Sequence, residues 1–133
     1  MAQDKALGLL SIARKAGKIE LGEEPVAAVA KLGRARLILV ASDASDNTAR
    51  HAAHMIEGSR QLLAAVPYSK EQLGGAMGYS PVALAAFTDT ALALAFVRAL
   101  DPAPQYAALA DALARKAERL QKRAGTKKHQ KPS

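Results

Sequence analysis

Residues 21–48, LGEEPVAAVAKLGRARLILVASDASDNT, carry the pattern from which the fold follows. Gly22 precedes Glu23, Glu24 and Pro25. Carboxylates and an early proline suit a first helical turn, where unpaired N–H groups and the helix dipole favour negative charge. A helix of about ten residues therefore starts near Glu23 and stops at Gly33, a natural left-handed C-terminal residue. Residues 36–41, RLILVA, are apolar, partly β-branched and without alternation, as in a central strand covered on both faces. Asp43, Ser45 and Asp46 close the strand and offer caps for a following helix. Helix, buried strand and helix in that order point to an α/β layer fold.

The pattern repeats outward from this stretch. Residues 5–16 are apolar at Leu7, Leu10 and Ala13, widened by Leu9 and Ile12, and end at Gly17, which predicts a first helix. Four residues, 18–21, offer a short edge strand. Residues 46–57 read as a helix ended by Gly58, and residues 60–66 as a second apolar strand. Ser69 and Gln72, three apart, form a capping box, so a short helix starts there and runs into Gly74, Gly75 and Gly78. A third apolar strand is expected over 82–87, with Thr88 or Asp89 capping a further helix that Pro102 ends near Leu100.

Length and composition bound the function classes. A chain of 133 residues is expected to form one domain with a real core. No apolar run approaches the roughly 18 residues of a membrane span. The start, MAQDKALG, lacks the basic and apolar regions of a secretory signal, so a cytoplasmic protein is expected. The absence of cysteine removes disulfides, thiol nucleophiles and cysteine metal sites.

Charge is unevenly divided. Residues 1–114 hold 11 Lys+Arg against 11 Asp+Glu, whereas residues 115–133 hold 8 Lys+Arg against Glu118 alone, so the whole excess of +7 lies at the C-terminal end. Tyr106, Leu109, Leu113, Ala117 and Leu120 share one helical stripe, predicting a basic amphipathic helix over 102–124 that starts at Pro104. Residues 125–133 end in TKKHQKPS, with nothing apolar to bury, and are expected to be a disordered basic tail. Such a segment either adds phosphate affinity that falls with salt or keeps the chain soluble. The stripe is alanine-rich and lacks large aromatics apart from Tyr106, which disfavours a membrane-surface role.

Two stretches, ARKAGKIELGEEPVAAVAKLGRARLILVASDAS at 13–45 and YSKEQLGGAMGYSPVALAAFTD at 68–89, resemble the kink-turn RNA-binding ribosomal protein family of L-seven-Ae type, and most closely its small bacterial YlxQ-like branch. The resemblance covers roughly residues 4–100. It rests on the order of a glycine turn, a strand ending in Ala-x-Asp, and Leu-Gly-x-x-x-Gly before a final strand. It implies a domain over residues 4–101 folded as a three-layer α-β-α sandwich with a mixed, roughly four-stranded sheet. It also implies binding to RNA that bends at a bulge beside sheared G·A pairs. Carried over, the helix start that lies along the G·A pairs is Gly22, Glu23, Glu24, Pro25 and Ala28. The loop that shelters the extruded nucleotide is Gly78, Tyr79, Ser80, Pro81 and Val82. Backbone N–H groups at a helix start hold phosphates or base acceptors, and an apolar loop suits an unstacked base. Kink-turn binders of the family usually carry Gly-x-Asn-Glu and a later lysine where this chain has Glu24, Pro25 and Ala28; the YlxQ-like branch carries Gly-Glu-Glu or Gly-Glu-Asp. Glu23 and Glu24 serve equally well as plain helix-dipole caps.

Arg14, Lys15 and Lys18 after the first helix, Arg34 and Arg36 around the first buried strand, and Lys70 in the capping-box helix are candidate phosphate contacts, or else a solvated face. Tyr79 is the one aromatic placed to meet a base; Phe87 and Phe96 sit in apolar core segments, too few for a stacking platform. His51 and His54 are three apart on one helix, yet no HExxH or further ligand set accompanies them. The glycines spell neither GxGxxG nor a P-loop, and no nucleophile elbow is present. The expectation is therefore a monomeric, non-enzymatic protein without metal, cofactor or small-molecule substrate, whose partner is structured RNA, ribosomal RNA included. The alternative is a protein-interaction module that docks on a ribonucleoprotein through its surface and basic tail.

Overall fold

The computed structural model describes the backbone of residues 2–130 and the side chains of residues 5–123. The elements are α1 (Ala2–Lys15), β1 (Ile19–Leu21), α2 (Glu23–Lys31), β2 (Leu37–Val40), α3 (Asp46–Met55), β3 (Leu63–Ala65), α4 (Lys70–Ala76), β4 (Leu84–Phe87), α5 (Thr90–Ala99) and α6 (Pro104–Gln130). The four strands form one mixed sheet in the order β1-β4-β2-β3. β4 lies antiparallel between β1 and β2, while β3 pairs parallel to β2. The sheet is sandwiched between two helical layers, so the expected α-β-α architecture is the observed one.

The two layers follow from the strand period of two. Leu37 and Leu39 of β2, with Ala85 and Phe87 of β4, face a core built with α1, α4, α5 and α6. Ile38 and Val40, with Leu84 and Ala86, face a smaller core built with Val26 and Ala30 of α2 and Ala52 of α3. All four residues of β2 and of β4 are buried, as the unalternating apolar run at 36–41 requires of a central strand.

Local capping sets the helix starts. Ser45 accepts from the Thr48 N–H to begin α3, Ser69 and Gln72 close the reciprocal capping box of α4, and Asp89 rather than Thr88 caps α5. The strands are shorter than their apolar runs: the run at 60–66 pairs only over Leu63–Ala65, because residues 60–62 serve as a connector with its own side-chain bonds. Gln61 holds it, accepting from the Ala35 N–H at 2.9 Å and donating to the Ala30 carbonyl at 3.1 Å.

The basic helix expected to end at Ala124 is one continuous α6 to Gln130. Residues 125–130, expected without fixed structure, continue its backbone, and residues 131–133 lie outside the described residues. A glycine such as Gly125 costs a helix interior about 1 kcal/mol without ending it, whereas a proline would break it. Leu113 is fully buried, with Tyr106, Leu109 and Ala110 packed on the same core. The Tyr106 hydroxyl donates to the Ala65 carbonyl at 2.9 Å, fastening the helix to β3. Among the described residues no helix is long and apolar enough to cross a membrane.

Candidate nucleic-acid interface

Because β1 and β4 run antiparallel, the end of one meets the beginning of the other. Leu21 is in register with Ala85, and the Gly22 N–H donates to the Leu84 carbonyl at 2.9 Å. The helix start at 22–28 and the loop at 78–82 therefore lie at the same end of the sheet. Two further connections converge there: Ala41 N–H donates to Ala83 at 2.9 Å, and Ser42 N–H to Tyr68 at 2.8 Å.

Gly22 turns the chain from β1 directly into α2 with φ 95° and ψ 163°, a conformation that side chains other than hydrogen resist. No side chain caps α2, unlike α3, α4 and α5. Pro25 carries no N–H and the Val26 N–H donates to the Gly22 carbonyl at 3.1 Å, so the Glu23 and Glu24 N–H groups are the ones left to solvent or to an external acceptor. Glu23, Glu24, Pro25 and Ala28 are all exposed around this turn, while Val26 is buried. Glu23 is drawn sideways: its Oε1 lies 2.8 Å from His51 Nδ1 on α3. Glu23, Glu24, Ala27, His51, His54 and Met55 line a groove of about 420 Å³ between α2 and α3.

Across from that turn, Gly78, Tyr79, Ser80 and Pro81 are exposed. Tyr79 is 48% accessible, and the Arg14 guanidinium sits 5.5 Å from its ring centroid, within cation–π range. The loop is pressed onto α4: Tyr79 N–H donates to Gly74 at 2.8 Å, and a Cβ added to Gly74 would overlap the Ser80 carbonyl. Val82 departs from expectation. Its side chain is 5% exposed and belongs to the core, and its N–H donates to Lys70 at 3.1 Å, so it braces the loop from beneath. Lys70 is at this end too, its N–H donating to Asp43 Oδ1 at 2.8 Å. Asp43, expected as a helix cap, instead ties the loop after β2 to α4.

The structure divides the expected basic set. Arg14 and Lys70 lie at the Gly22–Tyr79 edge, and Lys15 is exposed at the end of α1. Lys18, Arg34 and Arg36 do not flank that edge. The Lys18 carbonyl accepts from Thr88 at 2.9 Å, and Arg36 N–H donates to Phe87 at 2.8 Å, which puts both at the opposite end of the sheet. Arg34 lies in the same α2–β2 connector, its N–H donating to Val29 at 2.9 Å. The physical reason is strand direction: β2 starts where β4 ends. Arg36 there lines a separate pocket with Arg60 and Lys116.

The two histidines do not act together. His51 meets Glu23, and His54 Nδ1 lies 3.0 Å from Glu57 Oε2. Among the described residues no group of three or more His, Asp and Glu could hold a metal ion. The His51–Glu23 pair spans 28 positions, and nothing local in the sequence announces it. What the edge offers chemically is a set of uncapped backbone donors, one exposed acceptor in Glu24, and a half-exposed aromatic ring backed by a cation.

No known family profile matches the chain. Among solved structures, it is similar to a protein of unknown function from Bacillus halodurans, with 24% identity and a TM-score of 0.62 over 80% of this chain and 97% of that one. It is also similar to a 15.5kD RNA binding protein of Giardia lamblia, with 21% identity and a TM-score of 0.60 over 81% of this chain and 89% of that one. At these identities the likeness establishes a shared fold.

Proposed function

We propose that this chain is an RNA-binding protein that recognises structured, kink-turn-like RNA through the Gly22–Tyr79 edge, in association with the ribosome or another ribonucleoprotein. The observation that carries the reading is the meeting, at one end of the sheet, of an uncapped helix start and an exposed loop bearing Tyr79. Donors at the helix start suit phosphate or base acceptors, and the loop suits a base taken out of its stack. The reading is supported by the fold shared with the Giardia lamblia RNA binding protein, and by the glycine-turn and Leu-Gly-x-x-x-Gly motifs of the kink-turn family and its YlxQ-like branch. It involves no catalytic step, metal, cofactor or small-molecule substrate, and a monomer acting in the cytoplasm.

Glu24 is the feature that opposes it, since an exposed carboxylate repels phosphate at close range even in high dielectric. Replacing Glu24 by asparagine is expected to tighten binding to a kink-turn RNA about three- to tenfold, and Tyr79→Ala to weaken it about tenfold, a base–aromatic stack being worth roughly 1–3 kcal/mol. Fluorescence titration with both variants checks this; unchanged affinity in both would remove the edge from the site.

The groove lined by Leu62–Ala65 of the β3 region and by Tyr106 and Leu109 of α6, about 520 Å³ in volume, favours a second reading as a protein-docking module. Under that reading, substitutions in the groove rather than at the edge would disturb association with the ribonucleoprotein.

A further inference from the structure

At the end of the sheet opposite the Gly22–Tyr79 edge, three separate parts of the chain bring cations together. Arg36 leads into β2, Arg60 lies in the connector to the neighbouring parallel strand β3, and Lys116, Arg119 and Arg123 come from α6. With Leu120 they enclose a pocket of about 170 Å³ that, among the described residues, no carboxylate lines. On α6, Lys116, Arg119, Leu120 and Arg123 recur at the i, i+3, i+4, i+7 spacing of one helical face. The Lys116 ammonium donates to the Arg60 carbonyl at 3.3 Å, so the helix is held against the sheet end. Among the described residues the ion pairs are His51–Glu23 and His54–Glu57, and neither reaches this cluster. Burial, followed by repulsion from Arg36, Arg119 and Arg60, lowers the Lys116 pKa below the ordinary lysine value.

Like charges assembled from three segments without a counter-charge oppose folding unless an anion joins them. We infer that this pocket is a second nucleic-acid site, which takes backbone phosphates of an RNA duplex independently of the Gly22–Tyr79 edge. Four of its five cations are arginines, whose planar forks bind phosphate oxygens in pairs. The one apolar residue in the lining, Leu120, gives no face for insertion into lipid. The inference rests on the proposed RNA-binding reading only for the choice of polymer. It replaces a diffuse basic tail by a built site that requires Arg36 and Arg60, which lie far from the tail in sequence.

The test compares two variants of the full chain that each lose two positive charges. Arg60→Gln/Arg123→Gln removes two of the pocket's five cations, whereas Arg115→Gln/Lys122→Gln removes cations of α6 that do not line it. The probe is an unbulged RNA duplex, titrated at several salt concentrations, with thermal melts to confirm that both variants are folded. Pocket substitution is expected to weaken binding about tenfold and to lower the log–log salt slope by about two, near 0.9 for each phosphate that is no longer neutralised. The control pair is expected to change affinity less than about threefold, and Tyr79→Ala to leave duplex binding intact. Equal weakening in both variants would make α6 a diffuse charge and overturn the inference. So would an unaffected pocket variant, absence of duplex binding by the unmodified protein, or a pocket effect seen only with anionic phospholipid vesicles. If the pocket effect appears while Glu24 and Tyr79 variants leave kink-turn binding untouched, the second site stands and the edge reading fails.

Discussion

Gly74 and Gly75 are adjacent in α4, yet their surroundings assign them opposite roles. A Cβ at Gly74 would strike the backbone of Ser80, whereas one at Gly75 would meet nothing within 4 Å. Gly74→Ala is therefore expected to destabilise the protein by about 1–3 kcal/mol, because the obstructing group is backbone and cannot swing aside. Gly75→Ala should stabilise it by about 0.5–1 kcal/mol through helix propensity and a less flexible unfolded chain. Urea unfolding checks the pair: the midpoints should move in opposite directions with m unchanged. The motif containing Gly74 is legible in the sequence as a helix exit, but the need for glycine is not. The colliding carbonyl belongs to a loop six residues on, and its approach is a tertiary event. The burial of Val82 agrees with the apolar run at 82–87 and not with its carried-over place on the loop surface. Glu23 and Glu24 look alike in the sequence, and only the tertiary partner His51 separates them.

At the scale of elements, the starts and ends of helices are readable because capping is local. Ser45, the Ser69–Gln72 box and Asp89 each act within three residues. The course of α6 is less readable. Its apolar stripe announces a buried face, but the hydroxyl bond from Tyr106 to Ala65 crosses 41 positions. Burial raises the Tyr106 pKa above the ordinary phenol value, so the folded state holds this proton more tightly than the unfolded state does. The associated stability is fully present below about pH 10, the unfolded value, and is lost as pH rises through the higher folded value. Tyr106→Phe is expected to cost about 0.5–1 kcal/mol at neutral pH, for one partly exposed hydrogen bond. It should also flatten the decline of stability above pH 10 relative to the unmodified protein. Parallel stability profiles of the two proteins from about pH 8 to 11, bracketing the ordinary phenol value, would contradict this account of the clasp.

For the whole molecule, an α/β layer fold is legible from the alternation of helical periods and unalternating apolar runs, while the three-layer sandwich with a mixed sheet is what the family resemblance implies. The strand order is not legible, because insertion of β4 between β1 and β2 joins residues more than 60 positions apart in sequence, such as Leu21 and Ala85. That same insertion determines which candidate residues meet. It unites Gly22 with the loop of Tyr79, and it removes Arg36 to the far end, where α6 supplies Lys116. One end of the sheet thus holds the α2 start and Tyr79, and the other a cationic pocket to which α6 contributes Lys116, Arg119 and Arg123. Leu113 of α6 is buried in the main core. Removing α6 would uncover that core as well as remove charge, so functional comparisons belong on the full chain. The proposed role of the Gly22–Tyr79 edge is to read RNA shape. It is tested most directly by titrating the full-length protein against a kink-turn RNA and against the same RNA with its G·A pairs destroyed, at a salt concentration high enough to suppress nonspecific phosphate binding. A preference of about tenfold or more for the intact kink-turn, on the order of 1.4 kcal/mol, is the predicted result; equal affinity for the two RNAs would contradict it.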